Sequence, residues 1–284
     1  MPYSILGRTI GVCCKRNAEW IPFLESLRDS GFGRVELSLD EAGCSSLLHD
    51  AGLVGRVREL LQSLGIGASV HSVGGTNLGE KLSRIRQVSV ELVCESVEVA
   101  DRVGAEWLTV HLGSAGIPNR SADRKRGRLD VAIEALEEIL RRTRGSTVRL
   151  GLENLPCMPP DWPMCRLGDR SEEFEYVFDG LNSERAGLVF DYGHARLYGG
   201  DASREWVERL KERIFAFHLH SNNRLEDLHR SLGPSDAPEL RRFVAEVTKV
   251  SARAPFLLEN YSLEEALESI SALRAAESGL LSHA

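Results

Sequence analysis

The chain is 284 residues long with 42% hydrophobic and 27% charged residues, a composition that supplies a substantial core and excludes a fibrous or disordered polypeptide. Its formal charge of −7 leaves no overall basic footprint for nucleic acid, and no window approaches the ~20 apolar residues that cross a bilayer, so no membrane partner is expected. The N-terminal stretch MPYSILGRTIGVCCKRN has no leader-like apolar core and the six cysteines show no Cys-x-x-Cys spacing, so a cytoplasmic chain with core thiols is expected.

Eight short runs rich in Val, Ile, Leu and Phe read as buried strands. The first two cover Thr9 to Cys13 and Arg34 to Leu39. The third, Gly67 to His71, closes on an imidazole and is followed by a helical pattern from Glu80 to Val103. Trp107 to His111 closes on a second imidazole, with a helix from Asp123 to Arg142 after it. The fifth strand, Val148 to Glu153, closes on a carboxylate and leads into Asn154 to Arg170, a stretch with four prolines that is expected to cover the mouth of the fold. Gly187 to Asp191 ends on a carboxylate, and Ile214 to His220 carries His218 and His220 on one face because they are two apart. A helix from Pro238 to Val250, the strand Phe256 to Glu259 and a helix from Leu263 to Ala275 complete the chain. Strand and helix alternate throughout, which requires parallel strands with right-handed crossovers. Eight such units close naturally into a (β/α)8 TIM barrel, here a single α/β domain over residues 1–284.

Six ligand-type side chains then stand at the same ends of successive strands: His71, His111, Glu153, Asp191, His218 and Glu259. His194, Asp227 and His229 lie within short reach in the loops after strands six and seven. Buried carboxylates and imidazoles are costly unless paired, so the ensemble points to bound cations. Oxygen and imidazole donors suit Zn, Mn, Fe or Co. His218 and His220 are both candidates for the ligand of the seventh strand, and His220 is also a candidate for substrate. Asn154 and Asn260, each after a strand-end glutamate, are candidates to hold substrate hydroxyls or a water behind the ligands. Arg120, Arg124, Lys125, Arg126 and Arg128 crowd a helix start where the dipole already favours anions, so Arg124 and Arg126 are candidates for a substrate anion.

The segments HLGS, GLEN, FDYGH, HLHSNN, DLHRSLG and LLEN, from about Gly67 to Glu259, resemble the xylose isomerase-like TIM-barrel superfamily. That superfamily includes sugar and sugar-phosphate isomerases and epimerases and the endonuclease IV family of apurinic-site nucleases. The resemblance implies that Glu153, Asp191, His218 and Glu259 form the common metal site. His71, His111, His194, Asp227 and His229 match the further ligands of a three-zinc cluster. One to three divalent ions, Zn or Mn foremost, are therefore expected. The expected activity is isomerisation or epimerisation of a sugar, sugar phosphate or similar polyhydroxylated small molecule through a metal-stabilised enediolate. Glu153 and Glu259 then serve as catalytic bases on the two sides of the reacting carbon. The alternatives are a multi-zinc phosphoester hydrolase, or a related lyase or dehydratase. DNA is disfavoured as a partner, because the loop SLDEAGCSS carries Asp40 and Glu41 and HSVGGTNLGE lacks the tyrosine that enters DNA in the nucleases. Self-association into a homo-oligomer is left open.

Overall fold

Strand after strand pairs in parallel until the last meets the first, in a computed structural model that describes residues 2–14, 19–39, 46–116, 122–159, 161–197, 203–250 and 254–281. The barrel strands are β1 (Arg8–Cys14), β2 (Arg34–Ser38), β3 (Gly67–His71), β4 (Trp107–His111), β5 (Arg149–Glu153), β6 (Ala186–Asp191), β7 (Ile214–Leu219) and β8 (Phe256–Leu258). They neighbour one another in that order, and β8 pairs with β1 to close the ring. An outer helix follows each strand: α1 (Trp20–Ser26), α2 (Ala51–Leu64), α3 (Ser83–Val103), α4 (Ala122–Arg142), α5 (Ser171–Leu181), α6 (Ser203–Leu210), α7 (Ala237–Val247) and α8 (Leu263–Leu281). This is the (β/α)8 barrel expected from the alternation. No helix among the described residues is long and apolar enough to cross a membrane.

Local chemistry sets the helix limits. Asp50 caps α2 by accepting from Leu53 N at 2.9 Å, and Gly65 ends that helix in the left-handed region at φ 65°. Sequence periodicity carries α7 to Val250, but the helix stops at Val247. There the buried Arg8 guanidinium donates to the carbonyls of Val247 (2.9 Å), Val250 (2.9 Å) and Ala254 (3.0 Å), taking up acceptors that further helix would have used. Conversely, α8 runs past Ala275 to Leu281, with Leu273 and Ala276 still buried.

Inside the barrel, residues two apart share a face and stack in layers. Trp107, Val189, Ala216 and Leu257 pack into an apolar cluster with Cys13. On one side of the interior, Glu36 of β2, Ser69 of β3 and Thr109 of β4 are buried and bonded together. At the C-terminal mouth, Ser114–Ala115 after β4 pairs antiparallel with Cys165–Arg166 after β5, a small ribbon joining two loops. Asn77 fixes the first strand of that ribbon by donating to Ser114 O at 2.7 Å. Gly113 permits this approach, since it has φ 110° and a Cβ there would lie 2.2 Å from Asn77 Oδ1.

Candidate metal centre

Strand register assembles the site. Across the ladder Ser38 pairs with His71, His111 with Glu153 and Asp191 with His218, so ligand-type side chains from successive strands reach one level. Four groups of donor atoms form among the described residues, each within 4.8 Å: His71, His111 and Glu153; Glu153, Asp191, His218 and Glu259; His194, His220, Asp227 and His229; and Cys13, Glu36, His218 and Glu259. Glu153 joins the first two groups. Its Oε2 lies 3.2 Å from His71 Nε2 and 2.7 Å from His111 Nε2, while its Oε1 lies 3.0 Å from His218 Nδ1. The nine expected ligands all fall in these groups, and His220, Glu36 and Cys13 join them. Six of the chain's eight histidines therefore take part in these groups, and four of them, His71, His111, His194 and His229, line one cavity.

One nitrogen of each of several rings is tied to an oxygen outside the cluster, which leaves the other to face it. His71 Nδ1 donates to Ser72 O at 3.0 Å, His194 Nδ1 to Asn154 O at 2.8 Å and His229 Nδ1 to Glu259 O at 3.0 Å. Their Nε2 atoms point at Glu153 (3.2 Å), Asp227 (3.1 Å) and Asp227 (3.2 Å). This is the arrangement by which proteins fix the tautomer of a ligating imidazole.

His218 is oriented the other way round. Its Nε2 lies 3.1 Å from Glu36 Oε1, while Nδ1 faces Glu153 and Glu259. Glu36 is 1% exposed and also accepts from Ser69 Oγ at 3.0 Å and Thr109 Oγ1 at 2.8 Å. Sequence reading overlooked it because it sits inside RVELS rather than at the strand end. The available signal was a lone carboxylate within a strand destined for burial.

Electrostatics fit a cationic occupant. Burial opposes charge on every group here, yet His218, His111 and His71 hold the Glu153 carboxyl well below the usual carboxylate range. Against the same burial, His194 and His229 depress Asp227, and His218 depresses Glu36. Glu36, Glu259 and Glu153 in turn raise His218 well above the ordinary imidazole value, and Asp191 and Asp227 raise His194 to about 10. For His111 burial prevails over Glu153 and lowers the value. Thus protons on His218 and His194 supply positive charge where a metal ion could. Asp191 Oδ2 is buried without a hydrogen-bond partner among the described residues, as a coordinating oxygen would be. Oxygen and imidazole donors in groups of three and four suit zinc or a similar divalent ion.

The loop after β7 delivers Asp227 and His229. Ser221 and Arg230 exchange main-chain bonds at 2.8 and 2.9 Å and close it, while Asn222 Nδ2 ties it to Gly193 O at 2.7 Å. His229 takes a left-handed φ of 45°, a conformation histidine adopts more readily than most residues. Gly193 makes room for His220: a Cβ at 193 would lie 2.1 Å from His220 Cε1. Both His218 and His220 are fully buried and face inward, with His220 Nε2 3.2 Å from Asp191 Oδ1 and its ring stacked on His229.

The remaining candidates lie elsewhere. Asn154 is buried and exchanges two bonds with the Asp191 main chain (3.0 and 2.7 Å), a strut between β5 and β6. Asn260 donates to His229 O at 3.1 Å and accepts from Ser269 Oγ at 3.0 Å. Arg126 lies over the Tyr176 ring at 4.3 Å and does not line the cavity. Arg120 and the side chain of Arg124 lie outside the described residues, as do Asp40 and Glu41. Lys125 is buried between Asp169 (2.5 Å) and Glu173 (2.7 Å), and Arg128 donates to Gly79 O at 3.1 Å. The basic cluster read from sequence is thus partly consumed by acids and carbonyls distant in the chain.

Beside these donors lies a cavity of about 190 Å³, walled in part by Ser38, Leu155, Pro156 and Arg166. That is below the roughly 300–1,000 Å³ usual for ligand pockets, so it suits a small molecule.

A family described as xylose isomerase-like TIM barrel matches residues 24–276. An uncharacterised protein of Methanocaldococcus jannaschii is 26% identical over 189 residues, 66% of this chain and 61% of that protein. A probable endonuclease 4 of Thermoplasma volcanium is 27% identical over 176 residues, 56% of this chain and 56% of that one. The chain therefore spans less than two thirds of the length of both relatives. Among solved structures, a D-tagatose 3-epimerase-like protein has the same fold, with a TM-score of 0.78 at 22% identity over 97% of this chain and 99% of that one.

Proposed function

This chain belongs to the xylose isomerase-like TIM-barrel family, and from that premise we propose that it is a divalent-metal-dependent isomerase or epimerase of a sugar or similar polyhydroxylated small molecule. The observation that carries the reading is the meeting of Glu153 and Glu259, from β5 and the end of β8, with oxygens within 4.8 Å of each other beside a small cavity. Glu153, Asp191, His218 and Glu259 would hold the ion. A bound divalent ion supplies Lewis-acid polarisation of neighbouring carbonyl and hydroxyl oxygens. Glu153, whose carboxyl is kept ionised by the surrounding imidazoles, accepts the proton from the carbon beside the carbonyl at a carboxylate oxygen. Glu259 returns a proton to the opposite face of that carbon, and exchange with solvent restores the two carboxyls. Leu155 and Pro156 wall the cavity and limit water around the reacting carbon.

One observation favours a second reading, a multi-metal phosphoester hydrolase. His194, His220, Asp227 and His229 make a complete donor set that isomerisation at a single ion does not require.

The test incubates ketoses and ketose phosphates in D2O with protein loaded with Mn, Co, Zn or Mg, beside an abasic-site oligonucleotide. Deuterium is expected at the carbon adjacent to the carbonyl, and Glu153→Gln and Glu259→Gln should each abolish its uptake. Oligonucleotide cleavage with no deuterium uptake on any sugar would overturn the isomerase reading in favour of the hydrolase.

A further inference from the structure

Among the described residues, Arg166 is the only arginine or lysine lining the cavity beside the candidate metal donors. It is half-buried, and it makes no side-chain hydrogen bond or ion pair among the described residues. Burial of an unpaired guanidinium is costly, so arginines in such positions normally find a carboxylate or carbonyl. Others in this chain do: Arg34 meets Glu106, Arg196 meets Asp236 and Glu239, and Arg8 takes three carbonyls. Arg166 shares its cavity with Glu36, Glu153, Asp227 and Glu259 and pairs with none of them.

Its backbone is nevertheless firmly placed. Arg166 pairs with Ser114 in the two-stranded ribbon at the mouth, and the next residue, Leu167, donates to Gly113 O at 3.0 Å. Asn77 holds the opposite strand through Ser114 N and O. A rigid mount for a free, planar, five-donor cation is what recognition of an oxyanion requires. The carboxylates of Glu153, Asp227 and Glu259 line the same cavity as Arg166, so a substrate that engages both offers hydroxyls to the one and an anionic group to the other.

We propose that Arg166 binds the anionic group of the substrate, and that the substrate is a phosphate monoester or carboxylate of a small sugar rather than a neutral sugar. The inference deepens the isomerase reading and rests on it for the sugar part alone. The anion preference is a property of the binding cavity and is measured without turnover.

The experiment is calorimetry on metal-loaded protein with D-fructose, D-fructose 6-phosphate, D-fructuronate and inorganic phosphate, for the wild type, Arg166→Ala and Arg166→Lys. Metal content is checked in each preparation. The wild type should bind the phosphate ester or the sugar acid more tightly than D-fructose, and whichever is preferred identifies the anion. Arg166→Ala should weaken that ligand about 10- to 100-fold, the loss of a charge-assisted contact, with a smaller effect on D-fructose. Arg166→Lys should recover part of the difference. Equal wild-type affinity for all three sugars, no binding of any anion, or equal loss of all ligands in Arg166→Ala would overturn the proposal. Deuterium uptake by neutral ketoses with no gain from the anionic group would refute this inference and leave the isomerase reading intact. An anion preference without deuterium uptake on any sugar would do the reverse.

Discussion

Glu36→Gln keeps the shape of a fully enclosed side chain and removes one charge. Glu36 accepts from Ser69 Oγ at 3.0 Å and Thr109 Oγ1 at 2.8 Å, and faces His218 Nε2 at 3.1 Å. The two hydroxyl contacts survive with an amide oxygen, or rotate to accept from its NH2. The histidine contact does not adapt as easily. If the amide NH2 faces Nε2, the ring proton must move to Nδ1, the nitrogen that faces Glu153 and Glu259. If the amide oxygen faces Nε2, the bond persists without its charge, and a charge-assisted bond of roughly 1.5–3 kcal/mol falls to about 1 kcal/mol. Either outcome makes His218 a poorer ligand, and an outer partner of this kind is usually associated with about 10- to 100-fold in metal affinity. The assay is zinc affinity by competition with a chromophoric chelator, with ions per chain determined by elemental analysis. Ser69→Ala serves as the control, since it removes one neutral bond and no charge. Affinity within about twofold of wild type, in a Glu36→Gln protein with an unchanged melting curve, would refute the positioning role. Loss of one whole ion per chain would also refute it, by making Glu36 a ligand itself.

Elemental analysis of protein purified without added metal should give two to three ions per chain if the outer donor group is filled, and His229→Ala should remove one of them. Lys125→Ala leaves Asp169 and Glu173 facing each other in a buried site and should cost about 3–5 kcal/mol, read as a fall on the order of 10 °C in Tm. Metal-free protein should lose stability as pH rises. The folded-state value of His194, about 10, lies above its ordinary 6.5, so its contribution is complete below about 6.5 and disappears as pH climbs through 10. Metal binding, which needs the neutral ring, strengthens over the same window, so the gap between loaded and metal-free melting temperatures should widen from pH 6.5 to 10.

The barrel was legible because each strand is a short apolar run, and every strand boundary lies within one residue of the sequence reading. The clustering of the candidate donors was legible for the same reason: an apolar run that closes on His or Glu announces a strand end at the mouth. What escaped depends on partners distant along the chain. Glu36 acquires its role from Ser69, Thr109 and His218, none of them near it in sequence. Arg166 sits in a two-residue strand, too short for any periodicity, whose partner Ser114 lies beyond a whole β/α unit. Lys125 resembled an anion-binding cation because Asp169 and Glu173, which neutralise it, come two elements later.

Gly193 and His220 constrain how this site can have changed over time. The imidazole occupies the space that any side chain at 193 would need, so the two positions cannot be substituted in arbitrary order. A lineage that acquires a larger residue at 193 must already have given up the ring at 220, and one that acquires His220 must start from glycine. Aligned relatives should therefore be populated by only three of the four combinations, and a fourth donor in the outer group should be found only in chains that keep the glycine.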